Sequence, residues 1–149
     1  MKTSKFLPPA YFKICLLLAI GLHFIFPIRH LIHSPFRYTG IVLIGIGIWL
    51  NIWSDLLFKS SKTTVKPFEN STALVTEGPF RLSRHPMYLG MTAILLGLAV
   101  ILGSLITFLV PVAFVIAMEV MFIQYEEKHM NAVFGEEYVL YRNKVRRWL

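Results

Sequence analysis

The sequence predicts an all-α integral membrane protein with about four transmembrane helices, the last two forming a tight helical hairpin, followed by a C-terminal amphipathic helix. Three observations predict this class. Hydrophobic residues make up 56% of the 149 residues and charged residues only 15%. The mean hydropathy is +0.62. Residues 87–118 contain no Asp, Glu, Lys, Arg or His. At this length we expect a single membrane-embedded domain over residues 1–149.

The four spans follow from the apolar runs and their interruptions. Residues 9–28 and 38–58 are each close to the length of about 20 residues that crosses a bilayer. Residues 87–118 would form about 48 Å of continuous helix, which is too long for one ordinary span. Gly103 and Ser104 lie near the middle of this run and predict a turn. The run therefore divides into two spans, and the second continues past Glu119.

The basic residues are divided unequally between the two ends of the predicted spans. Arg29 and Arg37 lie at one end, and the other 13 of the 15 basic residues lie at the opposite end. These 13 are Lys2, Lys5, Lys13, Lys59, Lys62, Lys66, Arg81, Arg84, Lys128, Arg142, Lys144, Arg146 and Arg147. The positive-inside rule predicts that this richer side, with both termini, is cytoplasmic. We expect a multi-pass protein of a prokaryotic inner membrane.

The net charge of +7 first suggests an acidic partner. Because the basic residues flank the spans, they are better interpreted as topology signals and contacts to anionic lipid headgroups than as a nucleic-acid surface. Membrane lipids are therefore the expected partners, and nucleic acid is not. The one cysteine, Cys15, excludes an internal disulfide. The five histidines are scattered, so we expect no metal site.

The segment at the start of the third span is the strongest candidate for a functional site. Proline is favoured in the first turn of a helix, so a helix beginning at Pro86 leaves His85 directly in front of it. The N–H groups of that first turn can bind an anionic group such as a carboxylate. Arg84 and Arg81 strengthen this preference. The structural alternative is that these residues only anchor the helix among lipid headgroups.

Acidic side chains at the end of the fourth span form the complementary half. On a continuous α-helix, Glu119 and Glu126 share a face, and Glu127 lies about 100° round from Glu126. A carboxylate beside a span is costly unless it is paired or lies in a polar cavity. We therefore expect Glu126 either to accept hydrogen bonds from a ligand or to form a structural bridge with Arg84. For Glu119 and Glu127 we favour the structural interpretation.

The segment after the fourth span reads as a turn followed by an amphipathic helix. Phe134-Gly135 predicts the turn, and the helical spacing places Tyr138, Tyr141 and Val145 towards membrane or protein. Arg142 would then lie near the headgroups. This helix is either a structural lid or a part of the site.

Three separated elements of the sequence resemble one known superfamily. They are Arg84-His85-Pro86-Met87-Tyr88-Leu89-Gly90, then Glu126-Glu127, then Phe134-Gly135-Glu136-Glu137-Tyr138-x-x-Tyr141. In this order around a helical hairpin they resemble the isoprenylcysteine carboxyl methyltransferase and phospholipid methyltransferase superfamily. Its members are integral membrane enzymes that use S-adenosyl-L-methionine. The resemblance covers residues 70–149.

The resemblance implies a cofactor site and a reaction. The cofactor would be S-adenosyl-L-methionine, bound by Thr72, Ala73, Leu74, Val75, Phe80, His85, Pro86, Met87, Tyr88 and Glu126. From the residues themselves, we expect Glu126 or His85 to accept a proton if the acceptor is an amine. We expect Arg142, which lies beside Tyr138 and Tyr141 on the last helix, to orient the acceptor's head. The family usually has tyrosine in place of Phe80, and proline in place of Arg146. Its eukaryotic prenylcysteine enzymes have a substrate-contacting arginine in place of Phe122.

The function expected from this resemblance is methyl transfer to a lipophilic acceptor at the cytoplasmic membrane interface. Isoprenylcysteine carboxyl methylation is one form, and N-methylation of a phospholipid amine is the alternative. Two other classes stay open: a non-catalytic lipid-binding protein with the same frame, and a reductase-like relative that uses a nicotinamide cofactor. Binding of S-adenosylhomocysteine would separate the methyltransferase from both.

Overall fold

The computed structural model describes residues 7–26, 32, 35–61 and 73–149. These residues contain five α-helices and no strand. The helices are α1 (Pro8–Ile25), α2 (Thr39–Ser60), α3 (Pro86–Leu102), α4 (Leu109–Met118) and α5 (Gln124–Lys144). Three helical segments have the length and composition to cross a membrane: Pro8–Ile25, Phe36–Ser60 and Leu105–Lys144. The 17-residue α3 is a shorter apolar helix. The predicted all-α membrane class is confirmed, and the single-domain organisation stays a prediction.

The turn between the third and fourth apolar helices lies at the predicted residues. Gly103 has a φ of +70°, a left-handed conformation that favours glycine, and Ser104 is extended. The N–H of Gly103 donates to the carbonyl of Ala99 at 2.8 Å, which closes the last turn of α3. A short 3₁₀ segment, Leu105–Phe108, then leads into α4. The predicted helical hairpin is therefore confirmed.

Helices α2 and α3 pack at backbone distance because glycines face each other. A Cβ atom at Gly40 would lie 2.4 Å from the carbonyl oxygen of Gly97, and one at Gly47 would lie 2.5 Å from that of Gly90. Small residues allow such close packing between membrane helices, where burial of apolar surface contributes little. This contact holds the start of α3, and so the candidate site, beside the end of α2.

A single π-helical turn, Glu119–Ile123, joins α4 to α5. A π turn takes one residue more than an α turn, so the register of the faces changes after Glu119. Glu119 and Glu127 both contact Arg147, whereas Glu126 contacts Tyr88. The prediction that Glu119 and Glu126 share a face is therefore wrong, because the intervening residues do not form a continuous α-helix.

The predicted turn before the last helical segment lies at Gly135. Its φ of +51° and ψ of −122° break α5 at this point. In the following turns Tyr138 and Tyr141 are buried, and they pack with Val75 and Phe80. Val145 is extended and ends the helix. The amphipathic segment thus packs its aromatic face against the loop that carries the candidate site.

Candidate functional site

A cavity of about 290 Å³ lies where α1 and α3 begin and α2 ends. Its walls come from the first residues of α1, the end of α2, the loop before α3, the first turns of α3, and α5. The chain segments that the sequence places on one side of the membrane therefore meet around one cavity.

Most of the predicted cofactor residues line this cavity. Eight of the ten do so: Leu74, Val75, Phe80, His85, Pro86, Met87, Tyr88 and Glu126. Ala73 does not line it, and Thr72 lies outside the described residues. Arg142 is exposed and does not line the cavity either. The roles assigned to all these residues stay predictions.

The loop before α3 presents His85 at the helix N-cap. Pro86 occupies the first helical position, as the sequence predicts. The N–H of His85 donates to the Ser83 hydroxyl at 3.1 Å, and the His85 carbonyl accepts from the N–H of Leu89 at 3.1 Å. These bonds fix the backbone on both sides of the imidazole and leave the ring directed towards α5.

His85, Tyr88 and Glu126 form the polar centre of the site. The Tyr88 hydroxyl donates a short hydrogen bond to Glu126. The Nδ1 atom of His85 lies 3.3 Å from the other Glu126 oxygen. The His85 and Tyr88 rings are stacked, with centroids 5.7 Å apart. The Glu126 carboxylate is therefore oriented from two directions.

Glu127 forms a second, more strongly paired centre beside the first. Its Oε1 lies 2.8 Å from Nη2 of Arg84 and 3.5 Å from Nε2 of His85. Arg147 donates to both of its oxygens. The side chains of Arg84 and Glu127 are each only 8% exposed. Arg84 thus pairs with Glu127, and the alternative bridge between Arg84 and Glu126 is not formed.

The imidazole of His85 is tuned by these neighbours. Burial is the largest single effect and lowers the pKa of His85. The nearby carboxylates of Glu126 and Glu127 act the other way and raise the pKa, because their contacts and negative charges favour the protonated ring. The effect of the two carboxylates is larger than the effect of burial, so the pKa of His85 lies above its ordinary value of 6.5. The protonated form of His85 is therefore more populated near neutral pH than that of a solvated histidine.

Several buried polar atoms near the cavity have no hydrogen-bond partner among the described residues. They include Nε and Nη1 of Arg84 and Nε2 of His129. Both side chains line the cavity. Buried polar groups are rarely left unpaired, so such atoms beside a cavity point to a ligand. His129 was not identified from the sequence, although it lies three residues after Glu126 and hence on the same helix face.

Other parts of the site have no recognisable sequence signal. Leu7, Pro8 and Pro9 at the start of α1 and Phe58 near the end of α2 line the cavity.

Phe122, which replaces the arginine of the eukaryotic prenylcysteine enzymes, does not line the cavity. Its ring is fully buried and packs edge-on against Tyr11, with the ring centroids 5.6 Å apart. Within the described parts of the chain, no three His, Cys, Asp or Glu side chains are grouped to hold a metal ion.

Comparison with known proteins gives one family and a few relatives. The family model for phospholipid methyltransferases matches residues 36–137. The chain is similar to a probable protein-S-isoprenylcysteine O-methyltransferase of Oryza sativa (indica and japonica), with 33% identity over 113 residues. That match covers 72% of this chain and 58% of the rice protein. An uncharacterized protein of Haemophilus influenzae is 38% identical over 63 residues, which are 42% of this chain and 100% of that protein. No solved structure matches the chain.

Proposed function

The chain belongs to the phospholipid methyltransferase family, and from that premise we propose that it is a membrane methyltransferase dependent on S-adenosylmethionine. It would act on a lipid-soluble acceptor at the cytoplasmic interface. The observation that carries the proposal is the cavity, which combines apolar walls with a buried, hydrogen-bonded group of charged side chains. A soluble charged cofactor and a lipophilic acceptor need such a mixed site.

The arrangement of charges in the site favours a cationic ligand beside Glu126. Arg84 contacts Glu127, and Arg147 contacts both Glu127 and Glu119. Among the described residues Glu126 contacts no arginine; its partners are a tyrosine hydroxyl and His85. Of these three carboxylates, Glu126 is therefore the one whose charge is least compensated. The sulfonium and amino groups of S-adenosylmethionine carry the complementary charge.

The remaining residues fit the rest of the cofactor. The unpaired nitrogens of Arg84 are suited to a carboxylate, which accepts charge-assisted hydrogen bonds. Leu74, Val75 and Phe80 supply an apolar wall that would exclude water from the reacting groups. The cofactor supplies a methyl group that is already activated on a sulfonium. The protein's part in catalysis is therefore mainly to bind and orient the two reactants.

The methyl acceptor would reach the cavity from the lipid. The segment of α3 and α4 from residue 87 to residue 118 carries no charged side chain that would hold a polar substrate deep in the membrane. The start of α1 and the part of α5 around Met130 contribute apolar residues to the cavity. We propose that an alkyl chain lies between helices while its reactive head faces Glu126. Phospholipid amines and isoprenylcysteine carboxylates both satisfy this description.

Two measurements test the proposal. Calorimetric titration of the detergent-purified protein with S-adenosylhomocysteine should show binding, and an absence of binding would reject the cofactor assignment. Mass spectrometry of lipid extracts incubated with methyl-labelled cofactor should then show a labelled lipid. Its mass would identify the acceptor, and short water-soluble acceptors should react more slowly than long-chain ones. Cofactor binding without a labelled lipid would reject the lipophilic acceptor and leave the cofactor assignment standing.

A further inference from the structure

Residues 146–148, which follow α5, pack over the loop that carries Arg84 and His85. The N–H of Arg84 donates to the carbonyl of Arg146 at 3.0 Å. The Ser83 hydroxyl donates to the carbonyl of Arg147 at 3.0 Å. The indole N–H of Trp148 donates to Glu119 at 3.2 Å. This tail segment, residues 146–148, is therefore bonded to the site loop on one side and to the π turn on the other.

The side chain of Arg147 connects these two attachments. Its Nε and Nη2 donate to the two oxygens of Glu127, and its Nη1 donates to Glu119. A two-point contact between guanidinium and carboxylate fixes the plane of the carboxylate as well as its position. Glu127, held in this way, is also the ion-pair partner of Arg84 and lies 3.5 Å from Nε2 of His85.

We propose that Arg147 is a positioning residue of the cofactor site, which acts by holding Glu127 against Arg84 and His85. Arg147 does not line the cavity, whereas Arg84 and His85 do. Its effect on a bound ligand must therefore pass through Glu127. The inference rests on the proposed function, because it assumes that the cavity binds the cofactor.

The charges around His85 determine how the pKa of His85 changes when Arg147 is replaced. The titratable groups that contact His85 are Glu126 and Glu127 on α5 and Tyr88 on α3. Arg84 from the loop and Arg147 from the tail segment contact Glu127. Without Arg147, the ion pair with Arg84 still keeps Glu127 beside His85, although the contact that fixes the plane of its carboxylate is lost. Replacing Arg147 by a neutral residue therefore leaves more of the Glu127 charge uncompensated. The protonated imidazole is then favoured, so the pKa of His85 should rise.

The test uses Arg147→Gln, with Arg146→Gln as the matched control. Arg146 is adjacent and exposed, and its contact to Arg84 is made by the backbone. Affinity for S-adenosylhomocysteine is measured by calorimetry, and the His85 pKa by NMR titration with the signal assigned through His85→Gln. We expect Arg147→Gln to weaken binding about 3- to 10-fold and to raise the His85 pKa. Arg146→Gln should change neither.

The remaining outcomes also decide the question. Unchanged affinity and unchanged His85 pKa in Arg147→Gln would overturn the proposal, as would equal effects of the two substitutions. If Arg147→Gln does not fold, Arg147→Lys keeps the charge but not the two-point contact, and it should still weaken binding. If the wild-type protein binds no S-adenosylhomocysteine, the proposed function fails. The His85 titration then tests the role of Arg147 independently.

Discussion

His85 and Glu126 stand at the point where the cavity meets the buried charges, and substitution there tests the cofactor assignment. His85→Ala and Glu126→Ala should each weaken S-adenosylhomocysteine binding by roughly 10- to 150-fold, the loss of one charge-assisted contact worth about 1.5–3 kcal/mol. Lys128→Ala is the control, because Lys128 is an exposed charge on the same helix that does not line the cavity. Calorimetry with all three variants gives the comparison. Wild-type affinity in both cavity variants, with the fold intact, would exclude these residues from the pocket.

His129 and Arg142 are the two candidates on α5 for contact with the head of the acceptor. His129 lines the cavity with a buried, unpaired Nε2, whereas Arg142 is exposed. We expect His129→Ala to lower the methyl-transfer turnover about 10-fold or more with little change in cofactor affinity. Arg142→Ala should have a smaller effect on turnover. The rates are measured with the labelled lipid. A larger loss of turnover in Arg142→Ala than in His129→Ala would mean that Arg142, and not His129, contacts the acceptor.

At the scale of the helices, the contact between α2 and α3 positions the site loop. A methyl group at Gly47 would lie 2.5 Å from a backbone carbonyl and 2.7 Å from Cγ1 of Ile94, so Gly47→Ala must separate the two helices. We expect a loss of about 1–3 kcal/mol in the free energy of unfolding. Gly45→Ala is the matched control on the same helix, since nothing lies within 4 Å of its added methyl. Thermal unfolding in detergent should separate the variants, and equal stabilities would contradict this packing.

The helices could be predicted from the sequence because their ends carry strong local signals. Pro86, Gly103 and Gly135 mark a helix start, a hairpin turn and a break, and each lies where the sequence predicts it. The π turn could not be predicted, since the apolar run through residues 119–123 is equally compatible with an α-helix. Because the π turn adds one residue, Glu119 lies on the same side as Glu127, where both contact Arg147, and not on the side of Glu126.

The site could be predicted where its residues form local patterns or match the family resemblance. The segment from His85 to Tyr88 and the acidic pair Glu126-Glu127 form local patterns, and the resemblance adds Leu74, Val75 and Phe80. Arg147 and Glu127 are 20 positions apart and His129 has no motif, so their contribution depends on tertiary contacts that no spacing reveals. The start of α1 contributes to the cavity for the same reason.

For the whole molecule, the helix ends that the sequence predicts on one side of the membrane lie together, and the orientation of that side stays a prediction. The starts of α1 and α3 and the end of α2 surround the cavity. Arg37 lies at the other end of the bundle, where its side chain donates to the carbonyls of Ile101 at 2.6 Å and Leu102 at 3.3 Å. Of the basic residues counted in that prediction, Lys2, Lys5, Arg29, Lys62 and Lys66 lie outside the described residues.

We therefore expect reporter fusions at Leu149 and near His33 to report opposite compartments, with Leu149 cytoplasmic. The physical reason is the excess of basic residues on the cavity side, because loops rich in lysine and arginine stay on the cytoplasmic side of the membrane. A control variant adds lysines beside Arg37, at the opposite end of the bundle. It should reduce the difference in basic residues between the two sides, and so the fraction of molecules in the predicted orientation, without changing the cavity. Fusions at an internal position between α4 and α5 are unsuitable because they would break the π turn. Equal signals from Leu149 and His33 would contradict the four-span topology, and would also remove the reason for placing the cofactor site at the cytoplasmic interface.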